Sequence, residues 1–365
     1  MKTLKLVSLL FSIIAVTACG GKSSSDAGAS ASEQTYEWKL VTSWPKNFPG
    51  LGRAPETFAK NVERMSNGRL KIKVFGAGQM VPGFEVFDTV SSGAAEMGHS
   101  GSYYWKGKAP AAQIFTAIPF GMNATEFNAW LHYGGGLEMW RELYAPFNLI
   151  PFAGGNTGVQ TAGWFKKEIN SVEDLQGLKM RIPGLGAEVL KKLGGIPVAL
   201  TGGELFTSLQ SGAIDATEWV GPYNDLSFGL YKAAKYYYHS GWHEPGASLE
   251  FIVNKSAYES LPEDLQAIIE VATRAVNQDM WDEYTAANND AVQALVETHG
   301  VDMRPLPKDV IVALHAASIE VMQEQSAADP TFAKIYASYQ KFQEGVSKYH
   351  QLSEMEYYNN RQERK

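Results

Sequence analysis

The sequence repeats a ten-residue segment, and this repeat constrains the fold more than any other feature of the chain. Residues 85–94, EVFDTVSSGA, align without a gap with residues 204–213, ELFTSLQSGA. Five of the ten positions are identical, and the two copies begin 119 residues apart. In each copy, apolar residues at helical spacing lead to Ser-Gly, a pair typical of a helix C-cap. The repeat therefore predicts the same short helix in two halves of the chain.

A strand is predicted on either side of each repeated helix. Upstream lie two basic segments, GRLKIK at residues 68–73 and GLKMR at residues 177–181, which we match to each other. Downstream lie the short segments 96–98 and 214–216. A strand, a helix and a second strand form a βαβ unit, which implies parallel sheets covered by helices. Two such units predict two α/β lobes, with a ligand cleft at the carboxyl ends of their strands.

The remainder of the chain fits the same plan. Residues 38–42 alternate as a first strand, and residues 54–65 carry an apolar stripe at helical spacing. Pro262 begins a long helical stretch that we expect to reach about Glu297 and to brace both lobes. The predicted division is 35–158 with 249–300 in the first lobe, 159–248 with 301–329 in the second lobe, and 330–365 in a C-terminal helical extension.

The last part of the chain carries apolar residues at spacings of three and four. They are Phe332, Ile335, Tyr339, Phe342, Val346, Tyr349 and Leu352. This spacing is close to a heptad seam. Two interpretations remain open: the helix packs on its own domain, or it packs against the partner subunit of a homodimer.

The amino terminus has the pattern of an export signal. Two lysines precede an apolar run over residues 6–16, which is too short to span a bilayer as a mature helix. The run ends in VTAC, which resembles the bacterial lipobox, whose cysteine is acylated. A Gly/Ser/Ala-rich tract follows and has the composition of a flexible tether. We predict a periplasmic protein anchored to a membrane by lipid, with a signal peptide over 1–18, a lipidated Cys19 and a linker over 19–34.

Charge, cysteine content and missing motifs exclude several classes of protein. The formal net charge of −7 disfavours nucleic acid as a partner. Because Cys19 is the only cysteine, the fold contains neither a disulfide nor a thiolate metal site. The sequence has no Walker loop, no complete G-x-G-x-x-G and no zinc-protease helix. GHSGS at residues 98–102 would need a final glycine to form a nucleophile elbow. We therefore expect no enzymatic activity.

Polar groups at predicted strand ends carry a resemblance to a known family. They lie in GNTGVQ at 155–160, KMRIP at 179–183, GAID at 212–215, Glu218-Trp219, and WHE at 242–244. With these segments the chain resembles the substrate-binding component of a tripartite ATP-independent periplasmic (TRAP) transporter, from Glu37 to the tail. It is similar to the branch that binds 2-oxo acids or lactate together with a metal ion. The resemblance implies membrane permease subunits as partners. It also implies an α/β, two-lobed periplasmic-binding-protein (Venus flytrap) fold with a long bridging helix and a C-terminal helical extension.

The resemblance also suggests which residues hold the ligand. In that family a strand arginine in a context like KMRIP binds the ligand carboxylate, which points to Arg181. A guanidinium offers a carboxylate two parallel donors. Asn156 would donate its amide to the ligand, or else only form a turn. Tyr103 or Tyr104 would close the pocket from the opposite lobe, and we favour Tyr103. Phe206 begins a helix facing the cleft, where it either contacts the ligand or packs in the core.

Four groups together form a candidate cation site. The side chains of Gln160, Glu218 and Glu244 and the backbone carbonyl of Trp219 make an all-oxygen set, which suits a hard cation. The ligand's carboxylate and 2-oxygen would complete the shell, so Gln160 and Trp219 would also border the ligand. Two glutamates and a ligand carboxylate carry three negative charges, and Arg181 carries one positive charge. Calcium is therefore favoured because it neutralises the site, although the resemblance implies that sodium also occurs in this branch.

Other functions remain open at this point. Trp219 and Trp242 would limit a ligand to a few carbons, or they would simply pack in the core. A metal-independent receptor for a C4-dicarboxylate or a sugar acid is the nearest alternative. An exported hydrolase or lyase that uses Glu218 or Glu244 as a base is a second. A structural lipoprotein is disfavoured because the duplicated lobes would then have no purpose.

Overall fold

A computed structural model of the chain describes residues 34–362. The predicted signal peptide, Cys19 and most of the predicted linker lie outside the described residues. The strands are β1 Tyr36–Thr42, β2 Leu70–Phe75, β3 Met97–Ser100, β4 Leu149–Asn156, β5 Gly163–Phe165, β6 Lys179–Arg181, β7 Ile196–Val198, β8 Ala216–Thr217, β9 Tyr236–His239, β10 Ser248–Asn254 and β11 Asp302–Pro305. The helices are α1 Arg53–Met65, α2 Val86–Ser91, α3 Ala124–Tyr133, α4 Gly136–Tyr144, α5 Gly184–Lys192, α6 Leu205–Ser211, α7 Pro222–Phe228, α8 Lys255–Glu259, α9 Glu263–Gln293, α10 Lys308–Ala328, α11 Pro330–Leu352 and α12 Glu354–Gln362.

The strands form two mixed sheets, which confirms the α/β class but not the wholly parallel sheets that the βαβ units implied. The first sheet has the order β2-β1-β3-β10-β4, and the second has the order β11-β9-β5-β8-β6-β7. In the first sheet, β1 is parallel to β2 and β3, whereas β10 is antiparallel to β3 and β4. In the second sheet, β6 is parallel to β7 and β8, whereas β5 is antiparallel to β8 and β9. The chain therefore enters the second sheet after β4 and returns to the first at β10.

The repeated segment forms equivalent elements, but one predicted match is wrong. α2 and α6 are the two repeated helices, and each leads to a central strand, β3 or β8. The glycines after these helices, Gly93 and Gly212, have φ of +78° and +80°, the left-handed conformation expected of a C-cap glycine. We matched the basic strands β2 and β6, yet β2 is an edge strand and β6 is central. By position in the sheet, β6 corresponds to β1 and β7 corresponds to β2.

The long helix α9 contacts parts of both halves of the chain. It packs against β4 and α1 of the first half and against α7, which follows β8 of the second sheet. Tyr284 on α9 donates a hydrogen bond to Asn224 Oδ1 at 2.6 Å, and Asn224 Nδ2 donates to the carbonyl of Pro49 at 3.0 Å. These contacts join the first and second halves of the chain.

The C-terminal helix α11 packs along only part of its apolar seam. Phe332, Ile335 and Tyr339 are buried in the same hydrophobic cluster as Trp130 of α3. The seam then rises to the surface, because Tyr349 is 65% exposed and Leu352 is 81% exposed. The first half of the seam therefore serves the chain's own core, and only its last part is open to a partner.

The structure also bears on membrane insertion. Among residues 34–362, no helix combines the length and the apolar character needed to cross a bilayer.

Candidate ligand and metal site

The candidate site is built on two of the segments that connect the sheets. The first segment runs from Asn156 at the end of β4 to β5, and the second runs from β9 to β10. The two segments are hydrogen-bonded to each other through their backbones. The amide of Gln160 donates to the carbonyl of Glu244 at 3.2 Å, and the amide of Gly241 donates to the carbonyl of Gln160 at 2.8 Å. This pairing holds Gln160 and Glu244 side by side, although they lie far apart in the sequence.

Strand pairing in the second sheet brings Arg181 next to Glu218. Arg181 ends β6 and is paired in register with Thr217 of the parallel strand β8, and Glu218 follows directly. Arg181 Nη1 forms an ion pair with Glu218 Oε1 and also donates to the Glu218 carbonyl at 3.3 Å. Arg181 Nε donates to the carbonyl of Leu200 at 3.2 Å. The guanidinium is thus fixed at the carboxyl end of a central strand, where open α/β sheets bind ligands.

The Arg181 guanidinium is buried among aromatic rings. Its side chain is only 2% exposed, and its guanidinium carbon lies 5.0 Å from the ring centre of Trp219. Its Nη2 donates to the hydroxyl of Tyr104 at 3.2 Å. Burial, the largest single effect, lowers the pKa of Arg181, but Glu218, Tyr104, Tyr103 and Glu244 together raise this pKa above its ordinary value. Arg181 therefore remains a permanent cation facing the cleft.

Two buried carboxylates face this single cation. Glu218 and Glu244 are 0% and 3% exposed. Burial raises the pKa of the Glu244 carboxyl well above its ordinary value, and the charge of Glu218 raises this pKa further. Arg181 and a hydrogen bond from Gln160 act in the opposite direction. The site is therefore short of positive charge.

The same cluster has unpaired polar atoms that fit a cation. Ligand atoms of Glu218, His243 and Glu244 all lie within 4.8 Å of one another. Gln160 donates through Nε2 to Glu244 Oε2 at 2.8 Å, and within the described part of the chain its buried Oε1 accepts no hydrogen bond. An unused buried amide oxygen on a residue bonded to Glu244 adds to the oxygen donor set that hard cations prefer. The residues present therefore fit a bound calcium or sodium ion.

Asn156 is buried, and its side chain has two roles. Its Oδ1 accepts from the amide of Gly158 at 2.9 Å, which is the turn expected for an Asn before Thr-Gly. Its Nδ2 donates to the carbonyl of Gly246 at 3.4 Å, near the upper limit for a hydrogen bond. The turn is thus present, and one N–H of the amide remains for a ligand.

A small cavity lies between the two sheets beside these groups. Its walls include Trp44, Leu51, Tyr103, Gln160, Trp219 and Leu249. Tyr103 lines this cavity, whereas its neighbour Tyr104 contacts Arg181. Both tyrosines come from the turn after β3, so the first half of the chain faces the second across the site. Burial, followed by the charge of Glu244, raises the pKa of Tyr103 well above its ordinary value.

For two aromatic residues, Phe206 and Trp242, the sequence left ligand contact and core packing as alternatives. Phe206 is half-buried and packs against the core cluster that contains Trp219, and it does not line the small cavity. Trp242 is buried in the other cluster, where its ring lies 6.1 Å from that of Phe120, and it does not line the small cavity either. For both residues, core packing is the role seen in the structure.

Sequence reasoning missed two residues of the site. Trp44 follows β1 and lines the cavity, and His243 Nε2 lies 3.4 Å from Glu218 Oε2. His243 had a usable signal, because it stands directly before the candidate ligand Glu244. Trp44 had only a weak signal, namely its place just beyond the carboxyl end of the first strand.

A buried arginine at the carboxyl end of a strand, together with a cavity between two α/β sheets, is typical of a solute-binding protein. The chain belongs to bacterial extracellular solute-binding protein family 7, whose model matches residues 40–329. This match confirms the family predicted from the sequence, the substrate-binding components of TRAP transporters. The family is one of solute receptors.

Proteins similar to this chain include one curated relative and two solved structures. The monocarboxylate 2-oxoacid-binding periplasmic protein of Nostoc sp. is 44% identical over 322 residues, which cover 88% of each chain. A TRAP periplasmic solute-binding protein of Colwellia psychrerythraea, with bound calcium and pyruvate, is 47% identical. Its TM-score is 0.88, and the match covers 90% of this chain and 100% of that one. The corresponding protein of Pseudoalteromonas atlantica, with bound sodium and pyruvate, is 45% identical with a TM-score of 0.87, covering 89% and 99%.

Proposed function

We propose that this chain is the receptor of a TRAP transporter and captures a small 2-oxo or 2-hydroxy monocarboxylate, such as pyruvate or lactate, together with a cation. One observation carries the proposal: Arg181 is buried against Glu218, beside a second buried carboxylate and the unpaired oxygen of Gln160. The similar proteins described above, which bind 2-oxo acids or pyruvate, support the choice of ligand class.

In this proposal Arg181 binds the ligand carboxylate. Two parallel N–H donors match the two carboxylate oxygens, and exclusion of water strengthens the charged hydrogen bonds. Asn156 donates its remaining amide N–H, and Tyr103 closes the cavity from the opposite sheet. Phe206, which packs against the core cluster that contains Trp219, either contacts the ligand or serves only core packing.

The cation would be held by Gln160, Glu218, Glu244 and the backbone carbonyl of Trp219. It would supply the positive charge that lets an anion enter a site already containing two carboxylates. Two unit charges separated by 4 Å repel by about 4 kcal/mol at an effective dielectric constant near 20, so one arginine does not offset three carboxylates. Calcium neutralises the group, and sodium leaves one negative charge. We therefore propose calcium as the preferred ion.

The proposal includes two lobes that enclose the site. The first lobe comprises residues 35–158 and 249–300, and the second comprises residues 159–248 and 301–329. Apart from Ser248 at the start of β10, the first sheet lies within the first set of residues and the second sheet within the second, which supports this division. Gln160 and Glu244 lie on the crossing segments, so closure of the lobes would act directly on the cation ligands.

The cellular setting follows from the amino terminus. We propose that the mature protein begins at an acylated Cys19, which anchors it to a membrane on the periplasmic side, and that it delivers its ligand to membrane permease subunits. Several acyl chains on one residue hold a protein on a bilayer firmly.

We further propose a homodimer through the exposed end of α11, where the side chains of Tyr349 and Leu352 are exposed to solvent.

The test is a calorimetric titration of pyruvate, and separately of lactate, into protein treated with a chelator. The titration is repeated after calcium or sodium is added back. We expect weak binding without an ion and tight binding with calcium, and by linkage the ligand should tighten calcium binding by the same factor. Equal affinity in all three conditions would instead indicate a metal-independent receptor. Turnover of either acid over hours would indicate an enzyme.

A further inference from the structure

The residue that faces Trp219 across the small cavity is Trp44. Trp44 is 2% exposed, and its ring meets that of Trp219 edge to face, with centres 6.1 Å apart. Trp44 follows β1 of the first sheet, whereas Trp219 follows β8 of the second. Gln160 also lines this cavity, and Trp219 lies against Arg181. Trp44 is thus a wall of the cavity that the candidate cation ligand Gln160 and the arginine-packed Trp219 also line.

The indole of Trp44 is held by a buried histidine. Trp44 Nε1 donates a hydrogen bond to His99 Nδ1 at 2.8 Å. His99 lies on β3 and is paired in register with Thr42 of β1, two residues before Trp44. A hydrogen bond to a buried, fully enclosed partner restricts the rotation of an indole ring, because any other rotamer leaves both groups unsatisfied.

His99 is itself fixed by an irregularity in the first sheet. The register of β10 against β4 shifts at Leu249/Glu250, so Gly154 is left without a partner in the ladder. The Gly154 carbonyl lies 2.8 Å from His99 Nε2. A side chain at Gly154 would clash, since a Cβ there would lie 2.7 Å from the Phe251 amide nitrogen. The irregularity thus leaves the Gly154 carbonyl, which would otherwise pair within the sheet, available to His99.

The protonation state of His99 suits this position. Burial lowers the pKa of His99 to about 4, against a smaller opposing effect of the hydrogen bond to Gly154. The ring is therefore neutral at neutral pH, with its proton on Nε2 directed at Gly154. Its Nδ1 is then free to accept from Trp44, so one tautomer satisfies both contacts.

We propose that Trp44 sets the largest ligand side chain the cavity accepts, and that His99 is the positioning residue that keeps Trp44 in place. The proposal rests on the proposed function, because it names which 2-oxo acids that site takes. It also gives a role to GHSGS at residues 98–102, which resembled a nucleophile elbow in the sequence. An indole ring that is held in one rotamer excludes a longer ligand side chain by steric conflict. If the ring is free to rotate, the cavity accepts the longer side chain.

The test compares pyruvate, 2-oxobutyrate and 2-oxovalerate by calorimetry in the presence of calcium. We expect the full-length protein to prefer pyruvate, and we expect Trp44→Ala to lower the Kd ratio of 2-oxovalerate to pyruvate by about tenfold or more. Trp44→Phe, which keeps an aromatic ring in place, should shift the ratio in the same direction by less. Trp130→Phe is the matched control: Trp130 is a buried tryptophan whose Nε1 donates to Ser338 Oγ at 3.2 Å, far from the cavity lining. It should leave the ratio unchanged.

His99 is tested by a pair of substitutions. His99→Leu removes the acceptor for Trp44 and should lower the same Kd ratio, whereas His99→Asn places an oxygen near the position of Nδ1 and should restore it. An unchanged ratio in both Trp44 variants, with pyruvate still bound, would overturn the role of Trp44. Equal ratios in His99→Leu and His99→Asn would overturn the positioning role. Absence of pyruvate binding in the unsubstituted protein would instead count against the proposed function.

Discussion

The side-chain amide of Gln160 donates a hydrogen bond to Glu244 Oε2 at 2.8 Å, across 84 residues of sequence. The bond joins two of the segments that connect the sheets, so it lies where the two halves of the protein meet. It also orients Gln160, whose other side-chain atom, Oε1, is left without a partner within residues 34–362. This pair is therefore the part of the site that would respond most directly to a cation.

Glu244→Gln should weaken cation and ligand binding together. The substitution removes one negative charge from the proposed cation site but preserves the size of the side chain. We expect calcium affinity to fall by at least about tenfold, and pyruvate affinity in calcium to fall with it. Calorimetry on chelator-treated protein measures both affinities. Glu250→Gln is the matched control, because Glu250 is equally buried but bonded to Trp105 and Tyr144 in the first half. Unchanged calcium affinity in Glu244→Gln would remove Glu244 from the ion site.

Arg181→Lys should lose most of the affinity for the carboxylate. An ammonium group cannot reproduce two parallel hydrogen bonds, and losing one charge-assisted bond costs about 1.5–3 kcal/mol, or about 10- to 150-fold in Kd. The control is Arg304→Lys, because Arg304 pairs with Asp302 and Glu168 on the surface. Titration of pyruvate in calcium measures the effect. An Arg181→Lys protein that binds like the unsubstituted one would show that another group holds the carboxylate.

Replacement of the exposed end of α11 should separate the proposed dimer. Tyr349→Glu combined with Leu352→Glu places charge in an apolar patch while leaving the buried part of the seam intact. Light scattering at micromolar concentration should show a dimer for the unsubstituted protein and a monomer for the variant. Val271→Glu, at a residue that is 60% exposed on α9, should remain a dimer. An unsubstituted protein that is already monomeric would contradict the proposal.

Deletion of the whole C-terminal extension would not test the dimer contact alone, because part of the extension packs in the core. Removing residues from Pro330 onward would also remove Tyr339, whose hydroxyl accepts from the amide of Met122 at 2.5 Å. It would expose Trp130, which packs against Tyr339 with ring centres 5.3 Å apart. The truncated protein should therefore lose stability as well as any dimer contact.

Glu250→Gln should change how stability depends on pH. Burial raises the pKa of Glu250 to about 7, although hydrogen bonds from Trp105 and Tyr144 partly oppose this rise. The folded state then binds a proton more tightly than the unfolded state, so this carboxyl lowers stability as pH rises from about 5 to about 8. The glutamine cannot ionise, so the stability of the variant relative to the unsubstituted protein should rise over this range by up to about 3 kcal/mol.

The measurement is chemical denaturation of the metal-free protein at both pH values. Comparing the variant with the unsubstituted protein cancels other groups, such as Asp225, whose pKa burial raises to about 7. The exposed substitution Glu63→Gln serves as the control and should give the same difference at both pH values. A constant difference for Glu250→Gln would show that Glu250 ionises normally within the core.

Local patterns predicted much of the fold and the chemistry of the site. The ten-residue repeat predicted α2 and α6 with their C-cap glycines, and Pro262 predicted the start of α9. Arg181, Gln160 and Glu244 were candidates because their short segments resemble those of a known family. These features depend on residues that are close together in the sequence, where spacing and turn residues act directly.

The sequence by itself determined the α/β class, the family and the cation and carboxylate chemistry of this protein, since these follow from periodicity, capping residues and short segments. Only the tertiary structure decided that β6 corresponds to β1, that α11 buries half of its seam, and that Trp44 and His99 stand beside the site. The physical reason is that strand order, burial and cavity walls depend on contacts between distant segments. Such contacts leave no regular spacing in the sequence, because each partner is selected by the shape and polarity of its neighbours in the folded chain.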